Sequence, residues 1–315
     1  MRILLLGATG FLGKRIARRL TAERIPFVPV SQSGGTDLRS YRQFRSVFEA
    51  NPGIDVVLHA AAFVGGIQFG LEHPAEIYYN NALINTFLFE LAHEFGVKRI
   101  VNPISNCSYP RDILDEFRED RWWDGPLEES VMVYGFIRKA SYVQSLAYYR
   151  QFGLATVNLI VPNMYGPEDR FDEIRSHALG ALVMKIARAK SLGEPKVIVW
   201  GSGKPVREWL YIDDCVEAML RAIEIPHLLE PINIGVGRGV SIRELAEMIG
   251  AEVGYDGEFT YDTSRPDGAP HKVMNIDRCL NVFGWRPQTT LRDGIAKTVR
   301  WYLQNVQVSV SHEGE

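Results

Sequence analysis

The chain has 315 residues, 46% hydrophobic and 23% charged. That is the composition of an ordinary globular protein with room for about two domains at ~150 residues each, and it excludes a disordered, fibrous or disulfide-stapled chain. With 35 basic against 38 acidic residues the formal net charge is −3, so no global basic field points to nucleic acid or an anionic membrane as partner. Cys107, Cys215 and Cys279 are odd in number and far apart, which gives neither a disulfide framework nor a zinc-site spacing. No metal site is expected, and a reducing, cytoplasmic home is.

The apolar opening Ile3 to Gly13 is too short to span a bilayer, has no small-residue cleavage site after it and runs into Lys14, Arg15, Arg18 and Arg19. It reads as structure rather than as a signal peptide. Residues 2–6 form a short continuous apolar run ended by Gly7, the pattern of a central parallel strand buried on both faces. Leu12, Ile16 and Leu20 then recur every four residues with basic residues between them, as in an amphipathic helix. Strand-like runs follow at 26–31, 55–61, 98–104 and 154–161, alternating with helical stretches near 39–50, 75–95 and 134–152. This predicts an α/β fold, a doubly wound parallel sheet.

After Pro162 the elements shorten: a helix near 178–191, a strand at 196–200, and helices at 213–224 and 241–250. They predict a smaller mixed α/β domain. We place a dinucleotide-binding domain over 1–165 with a return crossing near 205–235, a substrate domain mainly over 166–305, and a flexible tail at 306–315. The run 262–271 is dense in turn formers and reads as an ordered loop.

Gly7, Gly10 and Gly13 stand between the first strand and the first helix. Glycines there permit a tight turn, close approach of backbone to a pyrophosphate and close helix packing, while the helix N-terminus offers N–H donors. A merely structural glycine turn is the alternative. The second strand ends Val30-Ser31-Gln32-Ser33 without the acidic residue that usually holds NAD ribose hydroxyls. NADP is favoured over NAD, with Ser31, Ser33 or Arg39 as phosphate contacts, unless a carboxylate arrives from elsewhere in the fold. Tyr134 and Arg138, one helical turn apart, share a face. A cation near a tyrosine lowers its pKa and makes it a usable acid or base, and Ser105 ends the preceding strand where it can hydrogen-bond a substrate carbonyl. Ordinary surface packing is the alternative for the Tyr–Arg pair.

The glycines, Ser105-Asn106-Cys107-Ser108-Tyr109-Pro110 and Tyr134 to Lys139 resemble the extended short-chain dehydrogenase/reductases, the Rossmann-fold family. Ala60 to Ile67, Pro162 to Pro167, Ser176-His177, Trp200 to Glu208 and Pro266-Asp267-Gly268 are similar to its GDP-L-fucose synthase branch, in order over about residues 1–304. The resemblance implies an NADP-dependent epimerase/reductase for a GDP-linked 4-keto-6-deoxy-hexose or a related keto-sugar, working as a homodimer. It implies catalytic roles for Ser105, Cys107, Tyr134, Arg138 and His177, with Cys107 and His177 moving protons beside the ketone. Cofactor contacts fall on Gly7, Gly10, Phe11, Gly13, Ser31, Ala61, Tyr134, Arg138 and His177. Substrate contacts fall on Asn163, Lys185, Trp200, Arg207 and Lys272, with Arg207 the best diphosphate clamp because a guanidinium donates bidentately.

Related sugar dehydratases carry an Asp-Glu pair after the hydroxyl residue, whereas this chain has Asn106-Cys107, which argues against dehydration. The family's Tyr-x-x-x-Lys also fails here: Arg138 holds the lysine position and Lys139 follows, turned about 100° further round an ideal helix. Arg138 can supply charge but need not reproduce the lysine's ribose contacts, unless a helix distortion brings Lys139 inward. That leaves epimerase-only or reductase-only chemistry as alternatives, and a non-catalytic NADP-binding regulatory protein as one of another class. Pro103 removes a ladder donor from a central strand and predicts a bulge. The charged segment 111–129, with Trp122-Trp123, reads equally as a substrate-covering loop, a partner surface or a packed excursion. The helices at 75–95 and 134–152 carry apolar faces that suit a dimer contact or the internal core.

Overall fold

The computed structural model of the protein describes residues 1–172, 176–226, 228 and 230–306. Chain order begins β1 (Ile3–Leu6), α1 (Phe11–Ala22), β2 (Phe27–Val30), α2 (Tyr41–Ala50), β3 (Val56–His59), α3 (Ile67–Glu72), α4 (Pro74–Glu94), β4 (Arg99–Ser105), α5 (Met132–Phe152) and β5 (Ala155–Val161). It continues through β6 (Asn163–Tyr165), α6 (Ala178–Leu192), β7 (Lys196–Trp200), β8 (Val206–Arg207), β9 (Trp209–Tyr211), α7 (Ile212–Arg221) and β10 (Ile232–Asn233). Last come β11 (Val240–Ser241), α8 (Ile242–Val253), β12 (Glu258–Asp262), β13 (His271–Lys272), α9 (Asp277–Phe283) and α10 (Leu291–Asn305).

The main sheet runs β10-β5-β4-β3-β1-β2, with every pair parallel. β1 explains why both faces are covered: Ile3 and Leu5 enter the core shared with α1 and the second half of the chain, while Leu4 and Leu6 enter the core under α2 and α4. All four are 0% exposed, each contributing about 1.5–3 kcal/mol of apolar burial. A strand buried on two faces reads as a continuous apolar run rather than an alternation. The strand order reverses between β2-β1 and β1-β3, the topological switch point where open α/β sheets form their crevice.

The second half returns to the first. β10 adds to the main sheet beside β5, α7 packs on α1, and β6 pairs with β9. Smaller sheets, β11-β8-β13 and β12-β7, stand over the crevice with α6 and α8 behind them. Their joint is Glu208, which is 0% exposed and accepts from Met274 N at 2.7 Å, from Gly237 N at 2.9 Å and from Val236 N. Burial raises this carboxyl to about 7 against those three donors.

The structure decides three points that the sequence raised, and overturns one of them, the bulge at Pro103. β4 and β5 pair residue for residue from Arg99↔Ala155 to Ser105↔Val161, so Pro103 makes no bulge. Pairing of β4 with β3 ends at Leu58↔Val101; beyond it β4 is an edge on that side, where proline is tolerated. The helix distortion that would turn Lys139 inward is absent, because α5 is continuous and Lys139 Nζ instead donates to Trp122 O. The 111–129 segment is a packed excursion: Ile113, Phe117 and Trp122 form a third core with Ile104, Tyr109, Tyr142, Ile160 and Met274. Trp122 is 1% exposed, whereas Trp123 remains 58% exposed. The expected tail, from residue 307 onward, lies outside the described residues.

Two measurements probe these joints. Glu208→Gln keeps the shape but turns an N–H toward a backbone donor, and should lower the unfolding free energy by about 1–3 kcal/mol in urea titration; an unchanged midpoint and slope would show that the joint does not need the carboxylate. Burial lowers the Lys139 ammonium from 10.5 to about 8. Its folded value lies below its unfolded one, so the unfolded chain binds more protons between those pH values and stability rises with pH there. Wild type should therefore gain stability relative to Lys139→Met as pH climbs from about 8 to 10.5, and parallel curves would refute the assignment.

Candidate active site

Parallel strands all finish on one edge of the sheet, and the turns that leave that edge build the site. Gly7 follows β1 with φ +78°, and a Cβ there would lie 2.5 Å from Ala60 O beyond β3. A Cβ on Gly13 would lie 2.0 Å from Gly7 O. These two glycines let the β1–α1 turn close against its neighbours. Gly10 is the N-cap of α1 and leaves the first helical N–H groups without a side-chain cap or an acidic neighbour, which is a ready anion site. Phe11 packs on the main core and Ala61 on the second one, so each supports the crevice wall.

At the end of β2, Ser31 is buried and its Oγ accepts from Gly34 N at 3.1 Å, while Ser33 Oγ meets Thr9 Oγ1 at 2.7 Å. Arg39 is engaged already: Nε and Nη2 donate to Asp37 at 2.8 Å, and Nη1 donates to Asn80 Oδ1 at 2.8 Å. Asp37 is held below its ordinary value by Arg39. Neither charge stands free at the end of β2.

Ser105 ends β4, and its Oγ accepts from Cys107 N at 3.2 Å, starting the short helical turn Asn106–Ser108. Helix α5 lies directly on that turn, since a Cβ on Gly135 would come 2.3 Å from Cys107 O. Tyr134 therefore sits beside Cys107. Burial raises the Tyr134 hydroxyl above its ordinary value, with Arg138 opposing and Cys107 adding to the rise. The expected lowering by the cation is thus outweighed, because removing a phenolate from water costs more than a guanidinium 6.0 Å from the ring centre returns.

Arg138 is 3% exposed and donates from Nη2 to Pro103 O. Its Nε and Nη1 are buried with no partner among the described residues. Both are enclosed by protein, and the charge lies close enough to His59, the last residue of β3, to act on it. His59 is lowered to about 3 by burial and by the Arg138 charge, and its Nε2 lies 3.2 Å from Asn85 Oδ1. Lys139 takes no part here: it lies 4.3 Å from the Trp123 ring centre and 5.1 Å from that of Trp122.

The second half closes the other wall. Asn163, His177, Lys185, Trp200 and Arg207 line one open cleft together with Arg265 and Asp267. His177 stands at the N-cap position of α6 without a side-chain cap bond, is exposed and lines the cleft, and desolvation lowers its pKa. Trp200 lies between two cations, with Lys185 Nζ 4.4 Å and Arg265 Cζ 4.8 Å from its ring centre. Arg207 donates to Val206 O and Asp267 O, and burial lowers its pKa while Cys107, Asp267 and Glu128 raise it. Lys272 pairs in register with Arg207, and its Nζ reaches Cys107 Sγ at 3.7 Å. Ser105, Cys107 and Tyr134 are thereby joined to the cleft through Lys272 and Arg207.

Sequence reasoning missed Arg265, Asp267, Glu208 and Asn81 as individual residues. Asp267 accepts from Ser202 N and Oγ at 2.7 Å, fixing the loop beside the cleft. Asn81 donates to Phe63 O at 2.8 Å and accepts from Phe63 N at 3.0 Å, holding the loop after β3. For Asn81 the available signal was the three asparagines, at 80, 81 and 85, on one helix; Glu208 and Asp267 stood inside runs already singled out. Among the described residues there is no His/Cys/Asp/Glu group that could hold a metal, and no helix long and apolar enough to cross a membrane.

The uncapped start of α1, with the close glycine turn before it, fits the pyrophosphate of a dinucleotide. Residues 3–235 match the model of the NAD dependent epimerase/dehydratase family. GDP-L-fucose synthase 1 of Arabidopsis thaliana is 34% identical over 305 residues, covering 97% of this chain and 94% of that protein. The structure of a GDP-L-fucose synthetase from Naegleria fowleri bound to NADP superposes with a TM-score of 0.86 at 27% identity, covering 96% of this chain and 94% of that one. A GDP-6-OMe-4-keto-L-xylo-heptose reductase from C. jejuni shares the fold, with a TM-score of 0.90 at 24% identity over 96% of this chain and 97% of that one. The sequence resemblance and the sheet order agree with these matches, and the chain belongs to the NAD dependent epimerase/dehydratase family.

Proposed function

We propose that the protein is an NADP-dependent epimerase/reductase for a GDP-linked 4-keto-6-deoxy-hexose or a related keto-sugar. The observation that carries this reading is the pairing of Lys272 with Arg207, which links Cys107, beside Ser105 and Tyr134, to the cleft that holds His177. A relative named GDP-L-fucose synthase and a structure holding NADP support it. Gly7, Gly10, Phe11, Gly13, Ser31 and Ala61 would hold the dinucleotide, which supplies a hydride when bound. The serines at the end of β2, with no free carboxylate beside them, favour the 2′-phosphate form.

In this reading Ser105 donates to the sugar ketone and so acidifies the carbons beside it. Cys107 and His177 then exchange a proton with one of those carbons from opposite sides, which inverts it. His177 lines the cleft, and desolvation, by lowering its pKa, makes its protonated form the readier proton donor. Tyr134 gives its proton to the ketone oxygen during reduction. Its raised pKa keeps it protonated and ready as an acid, while Arg138 steadies the phenolate left behind. Arg207, Lys185 and Arg265 gather three positive charges for a diphosphate around Trp200. We further propose that pairs of chains meet through α4 and α5, where Tyr78, Tyr79, Phe136 and Val143 are exposed.

The position of Arg138 favours a second reading, epimerisation without reduction, should its fork fail to orient the cofactor ribose. Purified protein given GDP-4-keto-6-deoxy-mannose, and then related GDP-linked 4-keto-sugars, in deuterated water with NADPH distinguishes the two: deuterium gain with NADPH oxidation fits the first, deuterium gain alone the second, and neither with any of these sugars would refute both. Cys107→Ser should abolish deuterium incorporation with NADPH affinity unchanged. Tyr134→Phe should slow NADPH oxidation about 10²–10⁴-fold and spare deuterium exchange; equal loss of both would remove Tyr134 from the hydride step.

A further inference from the structure

Lys272 is 8% exposed, and its Nζ has Cys107 Sγ as its hydrogen-bond partner at 3.7 Å. Among the described residues no carboxylate lies within ion-pairing distance of that ammonium. Burying a cation forfeits its hydration, and only an opposing negative charge or strong acceptors offset the loss. The groups facing this point are Lys272 from β13, Arg207 from β8 and Tyr134 from α5, with Glu128 and Asp267 also bearing on Arg207. Two cations from adjacent strands thus converge near one sulfur. The other two thiols are isolated from this chemistry, Cys215 at 0% and Cys279 at 1% exposure, whereas Cys107 is half-buried.

We propose that Lys272 is a positioning residue for Cys107, its ammonium holding the sulfur in the middle of the Asn106–Ser108 turn and assisting its reactions as nucleophile and base. The chemical meaning rests on the function proposed above. When the sulfur takes a proton from the carbon beside the ketone, the C–H bond breaks, its electron pair enters the enolate and an S–H bond forms. The return step breaks an N–H bond of protonated His177 on the opposite face as the new C–H bond forms, and the S–H proton is lost to solvent before the next exchange. The sulfur is anionic on one side of each exchange, and Lys272 keeps its own protons throughout.

Alkylation by iodoacetamide reads the sulfur directly and needs no sugar. Cys107→Ser should abolish fast labelling and so locate it. Lys272→Met should be alkylated about tenfold more slowly than wild type at pH 7, with the gap closing by about pH 10, where an unassisted thiol also ionises. Lys272→Arg, which keeps the charge, should recover most of the rate, a rescue that simple repacking would not give. Equal rates for wild type and Lys272→Met at every pH would overturn the proposal. Should Lys272→Met fail to fold, Lys272→Gln, which keeps a polar side chain without the charge, decides: slow alkylation supports the pair, and the wild-type rate overturns it. A Lys272-dependent alkylation rate in a protein that exchanges no proton with any keto-sugar would keep the pair and discard the proposed function.

Discussion

Six parallel strands must all end on the same edge, and that constraint organises this molecule. Each β-turn-α connection delivers its first residues to one line: Gly7 after β1, Ser31 after β2, Ala60 after β3 and Cys107 after β4. Side chains distant in sequence meet there without any specific attraction between them. The reversal of strand order beside β1 opens a crevice at the middle of that line, and the second half of the chain, returning through α7 and β10, is anchored to the same sheet. The cleft is therefore a by-product of packing both faces of the sheet.

The departure from the family pattern at 138 and 139 is met by local structure. The Arg138 guanidinium is buried and fixed by the carbonyl of Pro103. Pro103 stands where β4 has lost its β3 partner. Lys139 faces the other way, and its charge is accommodated by the Trp122 carbonyl and two indole faces. One residue of helix, about 100° of rotation, separates a side chain of the crevice from a side chain of the excursion.

The excursion and the second half share a different logic, of short pieces held by buried polar joints. Asn233 takes the Tyr109 hydroxyl at 2.8 Å and donates to Phe117 O and Asn275 O, tying the excursion to β10 and to the chain after β13. Glu208 does the same for β8, the turn at 236–237 and the residue after Val273. Strands of two residues have too few ladder bonds and too little apolar surface to hold themselves. Their placement, and with it that of Arg207 and Lys272, depends on these joints.

The sequence by itself determined the parallel α/β half. Continuous apolar runs and four-residue spacings survive in one dimension because strands buried on two faces and helices buried on one face impose them. The glycine turn, the serine at the end of β4 and the cleft motifs were legible for the same local reason. The short strands β6, β8, β9, β10, β11 and β13 were not, since two or three residues carry no period. Tertiary structure alone decided that Trp122 is core, that Lys139 faces away, that burial outweighs Arg138 at Tyr134, and that Lys272 meets Cys107 across 165 residues. Each depends on which groups lose water together, and that is a property of the folded arrangement rather than of any segment.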